Sequence, residues 1–121
     1  MASIDLSDYE ALYVKTAYEY LDAMQASIAI LTADKDKQEA IDTLYRSSHS
    51  LKSQSTLMGY KNTASLNEFI EHTVKGIKDG RFSFTEKVSL ELKTAIQKIE
   101  KSINSIEKLH KELTLQEPVS N

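Results

Sequence analysis

The stretch DKQEAIDTLYRSSHSLKSQSTLMG, residues 36–59, decides the fold. At three- and four-residue spacing it sets Ile41, Leu44, Ser48, Leu51, Ser55 and Met58 on one face of a helix and leaves the opposite face polar. Asp36 with Glu39 has the form of a capping box, in which each side chain satisfies an otherwise orphaned backbone donor. Gly59 marks the expected end. All three Gly and the one Pro of the chain lie at or after this glycine, so little interrupts helical periodicity before it.

The same period extends in both directions. Upstream, Leu6, Tyr9, Tyr13, Ala17, Tyr20, Met24, Ile28 and Leu31 form one stripe, opened by Ser7 with Glu10 and closed by a polar connection from Thr32 to Lys35. Tyr9, Tyr13, Tyr18 and Tyr20 read as core and rim of that helix. Downstream, Asn62 to Asp79 carries Leu66, Ile70, Val74 and Ile77 inward, with Gly80 in the position of a left-handed cap. Gly76 is out of place in a helix, where it costs about 1 kcal/mol relative to Ala, and close packing against a neighbour is the expected compensation. Ser83 with Glu86 introduces a fourth stripe of Val88, Leu92, Ala95, Ile99, Ile103, Ile106 and Leu113, and Pro118 bars its continuation. That last helix could run about 28 residues, roughly 42 Å. An all-α fold is expected, an antiparallel up-down-up-down four-helix bundle with a long or broken C-terminal helix. Residues 1–115 make one bundle domain and 116–121 a tail or the start of a linker.

Composition narrows function before any motif is weighed. The chain has 121 residues, 40% of them apolar, enough for a single core. Its 15 basic and 18 acidic residues are interspersed, with a formal charge of −3 and no basic stripe that could displace counterions from a nucleic acid. The absence of cysteine excludes disulfides and thiolate metal sites and suits a reducing compartment. The acidic amino terminus is unlike a signal peptide, and no stretch approaches the roughly 18 apolar residues of a membrane span. A cytoplasmic, monomeric domain is expected.

His49 lies about 100° around its helix from Ser48, beside the core stripe and away from the far face. Tyr45, His49, Lys52, Ser53 and Thr56 line this flank, bordered by Arg46 and Ser50. Glu68, Glu71 and Lys75 form a comparable flank on the next helix, so antiparallel packing lets Glu71 reach the imidazole. A carboxylate accepting one ring N–H fixes the tautomer and leaves the other nitrogen nucleophilic. Phosphoryl transfer passes through a loose, highly charged transition state, in which positioning and a nearby cation such as Lys52 supply most of the help.

Tyr45 to Tyr60, YRSSHSLKSQSTLMGY, resembles the H-S-L-K-G signature of histidine phosphotransfer (HPt) domains, and is most similar to the phosphoryl-accepting first domain of CheA-type chemotaxis histidine kinases. The resemblance extends from the first helix to about Leu113. It implies a phosphocarrier without its own nucleotide site, whose His49 takes a phosphoryl group from a histidine kinase ATP-binding domain and passes it to a response-regulator receiver aspartate. By position, His49 is the acceptor, Lys52 the phosphate-side cation and Glu71 the ring-orienting carboxylate. Arg46, Ser53, Thr56 and Glu68 are expected partner contacts, no cofactor is expected on this chain, and Mg²⁺ is expected on the partner. Two departures stand out: Ser53 replaces the family's usual Gly, and Glu68 stands where many chemotaxis relatives have a second histidine.

Taken singly these residues have ordinary readings. A flank histidine is usually a solvated one, Lys52 a solubilising residue, and Glu71 with Lys75 an i,i+4 ion pair; His72 and His110 read as surface residues. Two other functions use the same helices. One is a helical adaptor of the same fold that carries no phosphate. The other is a metal-binding bundle, for which Glu107 and His110 supply only one of the two Glu-x-x-His pairs required.

Overall fold

The computed structural model describes residues 6–114, Leu6 by its backbone only. Four helices account for nearly all of them: α1 (Leu6–Ala33), α2 (Gln38–Met58), α3 (Lys61–Lys78) and α4 (Glu86–Leu109), with no strand among the described residues. Each helix packs on two neighbours, in the ring α1, α2, α3, α4. Cross-helix bonds show the directions. His49 of α2 meets Glu71 of α3 while the earlier Asp42 meets the later Lys78, and on α1 and α4 Tyr18 meets Glu107 while Glu10 meets His110 just past the helix end. Both pairs of helices run antiparallel, as the short connections require.

The core stripes follow the sequence pattern with a shift on α1. Tyr13, Ala17, Met24, Ile28 and Leu31 are buried, joined by Val14 and Leu21, whereas Tyr9 is exposed and Tyr20 half-buried. Ile41, Leu44, Ser48, Leu51 and Ser55 of α2 all face inward. On α3 the fully buried line is Thr63, Asn67, Ile70 and Val74, while Leu66 and Ile77 pack partly against it. Leu92, Ala95, Ile99, Ile103 and Ile106 of α4 complete the core. Buried hydroxyls are bonded: Tyr13 to Ser55 at 2.7 Å, and Thr63 to Ser102 at 2.9 Å.

The helix starts depart from the expected capping boxes. The described part of α1 already begins at Leu6, so Ser7 lies inside the helix, and Glu10 accepts hydrogen bonds from Tyr60 and His110 instead. Asp36 does not cap α2: a turn closes from the Lys37 N–H to the Asp34 carbonyl, Asp34 Oδ1 accepts the Asp36 N–H, and Lys37 occupies the N-cap position without a side-chain cap. Thr85, not Ser83, caps α4, its hydroxyl accepting the Val88 N–H at 3.1 Å. Gly59 and Gly80 are left-handed, at φ 83° and 76°, where the sequence placed helix-ending glycines. A Cβ on Gly76 would overlap the ring of Phe82, so the glycine makes room for the α3–α4 connection to fold back on α3.

α4 is neither broken nor extended to Leu113. It has 24 residues, about 36 Å, and ends at Leu109, after which His110 turns left-handed at φ 63°. Residues 111–113 fold back over the end of the bundle, and Leu113, counted in the core stripe, is exposed. Glu112 reaches the start of α3 and accepts the Asn62 N–H at 3.0 Å and the Thr63 N–H at 2.8 Å. It supplies the cap that Tyr60, in the N-cap position, does not. Residues 115–121, including Pro118 and the predicted tail, lie outside the described residues.

Candidate functional site

α2 and α3 are joined by the tight turn at Gly59 and Tyr60, and their antiparallel register fixes which flank positions meet. His49 and Glu71 meet. The ring Nδ1 lies 2.7 Å from Glu71 Oε2, and Lys52 Nζ lies 2.7 Å from the other carboxylate oxygen, Oε1. The imidazole is 54% exposed and Glu71 only 13%, so the acid lies behind the ring and the ring faces solvent. An ionised carboxylate can only accept, so Nδ1 carries the proton and Nε2 keeps its lone pair. One carboxylate therefore sets a tautomer and anchors a cation one helical turn away.

Burial of Glu71 works to raise its pKa, but the hydrogen bonds from Lys52 and His49 overcome it and hold the carboxyl below its ordinary value. Lys52 is raised, first by its hydrogen bond to Glu71 and against desolvation, with the charge of Glu68 adding to the effect. A carboxyl with a depressed folded-state pKa gives stability that is present above the unfolded value and is lost as pH falls through the folded one. Wild type is therefore expected to exceed Glu71→Gln in stability near neutrality, with the difference shrinking only below the ordinary glutamate range. Urea unfolding of both proteins from pH 7 to pH 3 checks this; a difference that stays constant down to pH 3 would contradict the ion pair.

The other predicted residues take distinct places. Arg46, Ser53, Thr56 and Glu68 are exposed around the histidine, and Thr56 bonds back to the Lys52 carbonyl. Lys52, Thr56 and Glu68 share a shallow groove between α2 and α3 with Lys61, Ala64 and Ser65. Lys75 pairs with Asp79 and not with Glu71, whose two oxygens are already engaged. His72 is exposed. His110 is exposed as well, yet it forms a second imidazole–carboxylate pair, Nδ1 to Glu10 Oε1 at 2.6 Å. Glu107 accepts from the Tyr18 hydroxyl, so Glu107 and His110 are turned to separate partners and are not aimed together into the bundle.

The sequence reading gave Tyr45 a place on the flank but no role. Its ring stacks on the imidazole, with centroids 6.1 Å apart and planes 11° from parallel. The four-residue interval between Tyr45 and His49 was the available signal.

A half-exposed histidine on an antiparallel bundle, oriented by a sheltered carboxylate and flanked by a lysine, is the arrangement expected of a histidine phosphocarrier module. Residues 8–102 match the Hpt domain family, and the chain belongs to it. It is 24% identical to the chemotaxis protein CheA of Bacillus subtilis over 103 residues, which is 85% of this chain and 15% of that protein. CheA of Listeria monocytogenes is 24% identical over 79% of the chain and 16% of the relative. CheA of Halobacterium salinarum is 24% identical over 66% and 12%. The chain thus spans about 15% of the length of its curated relatives. No solved structure matches it significantly. No described helix is long and apolar enough to cross a membrane.

Proposed function

We propose that this chain is a phosphorelay intermediate in which His49 Nε2 accepts the γ-phosphoryl group of ATP held by a histidine kinase ATP-binding domain and donates it to a receiver aspartate. The carrying observation is the Nδ1–Glu71 contact of 2.7 Å on a ring that is 54% exposed. In the first step the Nε2 lone pair attacks the γ-phosphorus, an N–P bond forms, the P–O bond to the leaving group breaks, and ADP departs. The ring then carries positive charge, which Glu71 stabilises through the proton that stays on Nδ1. Lys52 neutralises the phosphoryl oxygens as negative charge gathers beside the ring. In the second step an aspartate oxygen of the receiver attacks phosphorus, the N–P bond breaks, and the neutral imidazole returns.

Mg²⁺ in that second step belongs on the receiver. Arg46, Ser53, Thr56 and Glu68 surround the histidine and form the partner contact surface. The CheA relatives support a chemotaxis-type kinase as donor, and we place the carrier in the cytoplasm as a monomer.

The test is incubation with ATP, Mg²⁺ and a CheA-type kinase lacking its own acceptor domain, read by intact mass. A gain of one phosphoryl group, lost in acid and kept in alkali, is expected, followed by its transfer to a receiver. No gain from several such kinases, and none from phosphoramidate, would overturn the reading in favour of an adaptor.

A further inference from the structure

Glu71 holds one atom of the imidazole, and one hydrogen bond leaves the ring free to swing about that contact. A second constraint comes from the other side of the flank. Tyr45, one turn before His49 on α2, lies nearly parallel to the imidazole at 6.1 Å. The tyrosine is half-buried and packs partly against the core. Lys78 of α3 sets its ammonium 5.3 Å from the centre of the tyrosine ring, and the same ammonium is paired with Asp42 Oδ1 at 2.5 Å. The hydrogen bond from Lys78 holds the Asp42 carboxyl below its ordinary value, so the anchor stays charged. Asp42, Lys78, Tyr45 and His49 thus form a continuous line across the α2–α3 surface, ending on the histidine from the side opposite in sequence to Lys52.

We propose that Tyr45 is a positioning residue for phosphoryl transfer: its ring, held by the Lys78–Asp42 pair, fixes the plane of the His49 imidazole while Glu71 fixes its tautomer. This inference rests on His49 being the phosphoryl acceptor. Two constraints of different geometry, one in the ring plane at Nδ1 and one against a ring face, leave Nε2 with a single direction of attack. A nucleophile restricted in this way spends less of the barrier on orientation, and small misplacements of reacting atoms are costly. The contribution comes from the aromatic face and not from the phenol, because no described hydrogen bond of the site uses the hydroxyl of Tyr45. The ammonium over the ring adds a cation–π contact that ties the tyrosine to α3.

The experiment compares wild type, Tyr45→Phe, Tyr45→Leu and Lys78→Met in two measurements. The first is the steady-state rate of phosphorylation by the kinase with carrier concentration varied. Tyr45→Leu is expected to lower kcat about tenfold with KM nearly unchanged, and Tyr45→Phe to stay within about twofold of wild type. Lys78→Met, which leaves the core untouched, is expected to give a smaller loss of the same kind. The second measurement needs no kinase: the His49 ring-proton NMR shifts, which a stacked aromatic ring moves upfield. That displacement is expected in wild type and Tyr45→Phe and absent in Tyr45→Leu. A Tyr45→Phe loss as large as that of Tyr45→Leu, a rise in KM alone, or ring shifts indifferent to Tyr45 would each overturn the proposal. A wild type that takes no phosphoryl group removes the carrier reading itself, and the positioning role falls with it even where the NMR shows the stack.

Discussion

His49→Gln is expected to take up no phosphoryl group while melting within about 4 °C of wild type, since the Gln amide can still donate to Glu71 and a single hydrogen bond contributes only about 0.5–1.5 kcal/mol. Among the described residues two histidines have a carboxylate at hydrogen-bonding distance from Nδ1, His49 with Glu71 and His110 with Glu10. Both rings are more than half exposed, so accessibility does not separate them. Their surroundings do. Glu71 shares its second oxygen with the ammonium of Lys52, which sets a cation on the same carboxylate, one helical turn from the imidazole. Glu10 shares its carboxylate with the phenol of Tyr60, a donor without charge. Burial and that hydrogen bond push the Tyr60 phenol up to about 12, so it stays protonated and committed to Glu10 at neutral pH. His49 also has the Tyr45 ring nearly parallel beside it and lies within a continuous helix, whereas His110 occupies the left-handed residue that ends α4. His110→Gln should therefore label like wild type. Label retained in His49→Gln and lost in His110→Gln would move the acceptor to the other end of the bundle.

The part of this site legible in the sequence was the part that helical periodicity and a short turn dictate. Once α2 and α3 are helices joined at Gly59, each step down one is matched by a step up the other, so His49 opposite Glu71 follows from spacing alone. Lys52 joins them because it is one turn further along the same flank. Asp42 with Lys78 obeys the same register, about two turns before the histidine on α2. The misread features are those in which a local pattern competes with the path of the chain. The Ser7 and Glu10 spacing occurs inside helices as readily as at their starts, and Glu10 is drawn to Tyr60 and His110, residues distant in sequence. Leu113 fitted the apolar period of α4, but periodicity says nothing of where a helix stops. His110 is not a glycine, so the usual mark of a left-handed ending was missing. The stacking of Tyr45 was only half legible: an i,i+4 interval brings two rings near each other without fixing their planes.

Removing the Glu112 carboxylate is expected to be strongly destabilising for a change outside the apolar core. Its two oxygens accept the backbone N–H groups of Asn62 and Thr63 and the hydroxyl of Thr63, at 2.7–3.0 Å. These are second- and third-position donors of α3, the groups an N-cap side chain ordinarily satisfies, and Tyr60 offers no side-chain cap. A lost cap costs about 1 kcal/mol, and a negative charge at a helix start adds about 0.3–1 kcal/mol. The effect of Glu112→Ala should exceed either alone, because the same carboxylate fastens the returning chain, where the Asn62 side chain bonds the Leu113 carbonyl and Ser102 receives the Leu113 N–H. A loss of about 2 kcal/mol corresponds to a fall in Tm of roughly 8 °C for a domain of this size. Glu112→Gln keeps one acceptor and no charge, and should fall about halfway. Thermal melts followed by circular dichroism read both values. His49 and Glu71 lie two turns or more into their helices, so labelling of Glu112→Ala at 20 °C should match wild type. A Tm of Glu112→Ala within 2 °C of wild type would show that water replaces the carboxylate at the start of α3 without cost, and that the returning segment covers the bundle end without fastening it.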